Sequence, residues 1–240
     1  MKIPVVKEWG SWVVYISSLL AAFAAGLLHS PGQNGRGLPA TLIPTILGLT
    51  FIINSKNPLS ATIRTKGRQQ EHINWLLFFG ITGLILLLPF LLEGLKFFWF
   101  FSLLAVSYIV LLFFGKEHHI MTELNGFALL TLSAPVVYFT ITGEMSMKLY
   151  LAVFLFFAAG VMKVRVRLKK SLFFRVMMVL YCAAALAVFY LSDISLLLLL
   201  PLIENIVSVI LMKEEKLKVT GYIELTKGVG FIVLIVFFWR

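Results

Sequence analysis

Residues 156–175, FFAAGVMKVRVRLKKSLFFR, leave one apolar run and enter another, and between them stand Lys163, Arg165, Arg167, Lys169, Lys170 and Arg175. Six cations between two stretches of Phe, Val, Leu and Ala have two physical readings. Basic residues hold a connection on the cytoplasmic side of a membrane. Guanidinium and ammonium groups gathered at the mouth of a cavity also hold an anionic head group.

The surrounding sequence places the stretch in a bilayer. Hydrophobic residues make up 60% of the 240 and charged residues 13%, with a mean hydropathy of +0.97, whereas in soluble domains about a quarter of the residues are charged. A helix needs roughly 20 mostly apolar residues to cross the hydrocarbon core. Nine runs approach that, over about 9–29, 38–53, 73–92, 97–114, 123–141, 147–163, 173–192, 194–212 and 221–239. The expected fold is an all-α, polytopic membrane protein of nine transmembrane helices forming one domain over residues 1–240.

Threading the chain through nine crossings sorts its charge. Of 21 Lys and Arg, 17 fall on the side of the N-terminus, and the other side holds Arg36, Lys96, Lys148 and Arg240. The bias predicts a cell (inner) membrane protein with the N-terminus in the cytoplasm and the C-terminus outside. The net charge of +10 then reflects topology, and no nucleic acid is expected as partner, because cations in short loops beside spans lie closest to anionic lipid. Ala21, Ala22, Ala24, Ala25 and Gly26 follow Lys2 and Lys7 as in a signal peptide. The apolar segment is longer than an h-region, so the span is expected to stay, its small residues letting a neighbouring helix close in. A single cysteine, Cys182, permits no intramolecular disulfide.

Connections on the inner side are the longer ones, above all 54–72 and 163–172, so function is expected at that face. Ionisable groups inside spans are costly and mark candidate sites. Glu204 and Asn205 follow Pro201 in the eighth run, and Lys227 stands at similar depth in the ninth; a Glu204–Lys227 pair would neutralise both, as a clamp or as a proton or substrate site. Glu123 and Asn125 open the fifth run, where Thr122 is expected to cap the helix, the alternative being Glu123 facing a central cavity beside His118 and His119. His29, His72, His118 and His119 all lie near span ends, which argues against haem ligation. Pro44 and Pro135 fall inside spans, where a proline either bends the bundle open and lines a cavity with unpaired carbonyls or simply kinks the helix, and the run Phe97–Phe101 fits an interfacial aromatic belt.

Three segments carry a family resemblance. Lys7-Glu8-Trp9-Gly10-Ser11-Trp12 resembles the K-E-H-G-A-W signature near the start of the YwiC-like membrane proteins, with Trp9 where that family has His. Lys116 to Pro135, KEHHIMTELNGFALLTLSAP, is similar to that family's charged loop and the Glu-x-x-Gly helix ending in Ala-Pro. Gly160 to Arg167, GVMKVRVR, is similar to its basic exit from helix six. A more distant resemblance is to the UbiA prenyltransferases, which implies a nine-helix bundle of that arrangement. In those enzymes the loops after helices two and six carry Asp-rich motifs that bind a prenyl diphosphate through magnesium. Here those loops offer Asn54, Lys56, Asn57, Arg64, Lys66 and Arg68, then Lys163, Arg165 and Arg167, with no carboxylate before Glu71. Magnesium wants carboxylate oxygens, so no metal, no cofactor and no catalytic residue is carried over.

The function expected is binding of an isoprenoid-like or anionic membrane lipid in a central cavity, its head group held by Lys56, Arg64, Arg68, Lys163, Arg165 and Arg167. The alternatives are a structural or assembly subunit with protein partners in a larger membrane complex, and an ion-coupled transporter using Glu204 and Lys227.

Overall fold

The computed structural model describes residues 6, 9–29, 39–115, 119–211 and 217–239, and among them all regular structure is helical. In chain order the elements are α1 (Trp9–His29), α2 (Leu42–Asn54), α3 (Lys56–Arg64), α4 (Gln70–Phe98), a 3-10 turn (Trp99–Phe101) and α5 (Ser102–Phe113). They continue with α6 (Ile120–Thr131), α7 (Ser133–Thr142), α8 (Met147–Lys169), α9 (Leu172–Leu191), a 3-10 helix (Leu196–Leu202), α10 (Ile203–Leu211) and α11 (Leu217–Phe238). Among the described residues, six helical stretches are long and apolar enough to cross a membrane: Trp9–Leu28, Gln70–Phe113, Ile120–Thr142, Met147–Lys169, Leu172–Leu191 and Val219–Phe238.

Each of the nine apolar runs is helical where described, but five differ from one uninterrupted crossing helix apiece, the fifth run being divided into α6 and α7. The second run gives α2, whose 13 residues are short of the roughly 20 that a crossing needs. The third and fourth join into a helical stretch of 44 residues. At 1.5 Å per residue that would reach about 66 Å, twice the hydrocarbon core. The 3-10 turn at Trp99–Phe101 divides it, and α5 comes back to touch α3, which lies beside the start of α4. The eighth run is a shorter apolar helix, Leu196–Ile210, because Pro201 lies within its 3-10 part.

Proline also sets two other breaks. Its ring clashes with the carbonyl four residues back. Pro58 therefore stops α2 at Asn54, and Pro135 stops α6 at Thr131, each proline becoming the third residue of the next helix. Pro44 likewise falls in the first turn of α2, where a missing N–H costs little. Residues 54–72, expected as a loop, thus contain α3, which ends in a turn where Lys66 and Gly67 take φ of 51° and 70°. Residues 163–172 shrink to a turn as well: α8 runs on to Lys169, and Lys170 closes it at φ 46°.

Helix α1 is the hub. Ala21, Ala22 and Ala25 are buried on it, and α1 packs on α6, α7, α8 and α11. Side chains of Val14, Tyr138, Phe156, Met178, Phe231 and others fill one continuous core, with the rings of Phe156 and Phe231 stacked at 4.1 Å to join α8 to α11. Tyr15 ties α1 to α2 by donating to the Ile46 carbonyl at 3.0 Å.

Candidate functional site

Three helices meet around four charges. Helix α8 brings Lys163, α10 brings Glu204 in its first turn, and α11 brings Glu224 and Lys227 one turn apart. Lys163 Nζ donates to Glu204 Oε2 and lies 3.1 Å from Glu224 Oε1; Lys227 Nζ lies 3.2 Å from Glu204 Oε2 and 2.6 Å from Glu224 Oε1. Each lysine therefore touches both glutamates, closing a ring in which the signs alternate and the formal charge is zero. The ammonium groups form its inner wall, with Lys163 1% and Lys227 7% exposed, while Glu204 and Glu224 are 36% and 26% exposed. Asn205 is wholly buried beside the ring and accepts from Lys227 through Oδ1.

The ring lies inside the helices. Lys163 stands six residues before the end of α8 and Lys227 ten residues after the start of α11, which is roughly 9 and 15 Å along the helix axes. Taking such charges from water costs several kcal/mol per ion, and the mutual attraction offsets it only when each group finds close partners. Here each does. Gly160, one turn before Lys163, makes room: a Cβ there would stand 3.2 Å from Glu224 Oε2.

A second layer lies one turn toward the basic end. Arg167 donates to Thr220 Oγ1 and, at 3.1 Å, to Ser208 Oγ. Arg165 turns the other way along α8 and forms a two-pronged pair with Glu123 of α6, at 2.9 Å through Nε and 2.5 Å through Nη2. Asn125, two residues after Glu123 on α6, meets Ser107 Oγ of α5 at 2.5 Å.

These positions sort the residues singled out in the sequence. Glu204, Asn205 and Lys227 come together, and Lys163 joins them. Lys163 is a core residue of α8 rather than part of a mouth, and Arg165 and Arg167 are bound to side chains of α6, α10 and α11. Lys56, Arg64 and Arg68 belong to α3 and the turn after it, which pack on α2, α4 and α5. The cavity of 560 Å³ near Lys148 and Asp193 and the groove of 370 Å³ between α9 and α10 are lined by none of those six cations. Glu123 is the ion-pair partner of Arg165, and Thr122, expected as the cap of this helix, is not it. His119 caps α6, its Nδ1 accepting from Met121 N at 3.3 Å, while Thr122 is buried inside the helix. Lys7, Glu8, Lys116 and His118 lie outside the described residues. Glu224 was not foreseen from sequence; its signal is the Glu-x-x-Lys spacing in an otherwise apolar span, which puts both groups on one helical face.

A model of the family described as YwiC-like protein matches residues 5–138, more than half of the chain. The match takes in the segments Lys7–Trp12 and Lys116–Pro135 and ends before Gly160, so α8, α10 and α11 lie beyond it. No curated protein and no solved structure matches the chain.

Proposed function

The chain belongs to the YwiC-like family, and from that premise we propose that it is an ion-coupled carrier of the cell membrane, with the ring of Lys163, Glu204, Lys227 and Glu224 as its working centre. Nine crossings, a cytoplasmic N-terminus and an outer C-terminus are part of the proposal, supported by the sorting of Lys and Arg between loops. The observation that carries it is the closed ring itself. Four ionisable groups at membrane depth are an expensive way to join three helices, since apolar residues of similar volume pack without the desolvation cost. The carboxylates face the more open side, where they can exchange protons or ions. The 3-10 segment before Ile203 also interrupts the helix at the ring, as discontinuous spans do around the central sites of transporters.

The test is flux. Proteoliposomes holding the purified protein are given an acid-outside pH gradient and screened against small cations and anions. The expected result is a solute that speeds collapse of the gradient over protein-free vesicles, with the gain lost in Glu204→Gln. No solute having that effect would sink the carrier.

The lipid partner keeps a narrower place. Arg64 and Arg68 are exposed where α3 ends, a position suited to anionic head groups at the membrane surface. A purified sample that binds phosphatidylglycerol no better than phosphatidylcholine, and unchanged in Arg64→Gln/Arg68→Gln, would remove it.

A further inference from the structure

Glu204 fills a seat that another carboxylate can take. Its Oε2 accepts from Lys163 and stands 3.2 Å from Lys227 Nζ. The two ammonium groups are fixed in the core, whereas the Glu204 side chain has an open side to swing toward. The seat also has a donor to spare. Asn205 Oδ1 accepts from Lys227 Nζ, and its buried Nδ2 has no hydrogen-bond partner. An unpaired buried donor is uncommon and asks for an acceptor. Both Glu204 and Asn205 sit in the first turn of α10, directly after the 3-10 segment Leu196–Leu202.

The charges around the seat decide what can enter it. Lys163 faces Glu204 from α8, with Arg167 one turn away; Lys227 and Glu224 face it from α11; Cys182 of α9 lies near Lys227. Two lysines and two glutamates sum to zero. A proton on Glu204 alone leaves the ring at +1, and an added monovalent anion alone leaves it at −1. Either is penalised in a medium of low dielectric constant, and the two together are not.

We propose that the ring binds a small monocarboxylate together with one proton. The proton goes onto Glu204, whose neutral carboxyl turns to the open side. The incoming carboxylate takes its place between Lys163 and Lys227, with one oxygen accepting from Asn205 Nδ2. No covalent bond forms or breaks, and the ring is neutral before and after. The ligand class follows from the seat, which already holds one carboxylate between the two ammonium groups. The proposal rests on the carrier reading and names what is carried.

Calorimetric titration of the whole protein in neutral-lipid nanodiscs with formate or acetate, repeated in two buffers of different ionisation enthalpy, reads the protons taken up per anion. One is expected. Glu204→Gln should bind formate with no proton uptake, and Asn205→Leu should weaken binding by about tenfold, the worth of one hydrogen bond to a charged acceptor. Binding without proton uptake in the native protein, unchanged uptake in Glu204→Gln, or no binding of either anion overturns the proposal. The vesicle assay separates its failure from that of the carrier: a pH gradient collapsed by sodium or potassium but not by formate keeps the carrier and removes the monocarboxylate, while a gradient that no solute collapses removes both.

Discussion

Lys163 of α8 and Lys227 of α11 hold the same two carboxylates, so neither lysine has a private partner. Charge count, not any one contact, governs what substitution does there. Lys163→Met leaves two glutamates facing one lysine in the core and is expected to cost about 3–5 kcal/mol of stability, the range for breaking a buried pair. Lys163→Met/Glu224→Gln restores neutrality and should recover at least half of that loss. Thermal melts in one detergent check both. Equal melting temperatures for the single and double variants would mean that the ring's neutrality is not what matters.

Gly160 makes room for this arrangement. A methyl there would lie 3.2 Å from Glu224 Oε2, tighter than ordinary contact. Gly160→Leu should push Glu224 off the lysines and cost about 1–3 kcal/mol, the usual toll of overpacking. The isosteric Gln of Glu224→Gln is not bound to the ammonium groups by charge and can yield, so the two substitutions should be less than additive. A cycle whose costs simply add would show that the glycine serves backbone packing alone.

Much of this was legible in the sequence, for reasons that particular residues make plain. Apolar runs marked every helix that carries the bundle, because bilayer crossing forces a length and a composition on a segment. Glu204 and Lys227 stood out because an ion in an apolar run is expensive. Lys163 did not, since a lysine followed by Arg165 and Arg167 looks the same whether the helix ends there or continues to Lys169. What settles it is the set of carboxylates on α6, α10 and α11, and their positions are tertiary facts. The α3 helix was hidden for a related reason: Pro58 reads as a loop signal, yet it serves as the third residue of a new helix. His119 as the cap of α6 was hidden too, because histidine is not among the usual capping residues.

Gly48 and Gly83 show where α2 and α4 lie closest. A Cβ on Gly48 would stand 3.0 Å from the Gly83 carbonyl oxygen, and one on Gly83 would stand 3.1 Å from that of Gly48. The side chains of Leu87 and Ile52 stand nearer still, at 2.7 and 2.8 Å, and because backbone lies close behind them the helices must move apart to admit a methyl. Gly48→Ala and Gly83→Ala are each expected to lower stability by about 1–3 kcal/mol. Gly80→Ala, with open space around it, should be neutral or slightly stabilising through helix propensity. Melting curves that rank all three alike would contradict the close crossing.

The division of the 44-residue stretch at Trp99–Phe101 makes a prediction about sidedness. If α4 and α5 are separate crossings, five membrane passages separate the turn after α3 from the turn after α9: α4, α5, the α6–α7 pair, α8 and α9. An odd number puts Arg68 and Asp193 on opposite faces. If Gln70–Phe113 crossed once, the number would be four and both would share a face. Arg68 and Asp193 are both exposed, and the single cysteine, Cys182, is buried and can be replaced by Ala. In that background a cysteine at position 193 should react with a membrane-impermeant maleimide in intact cells, and one at 68 only after permeabilisation. Labelling of both from the same side would reduce the crossings by one and return α4 to α5 as a single tilted span.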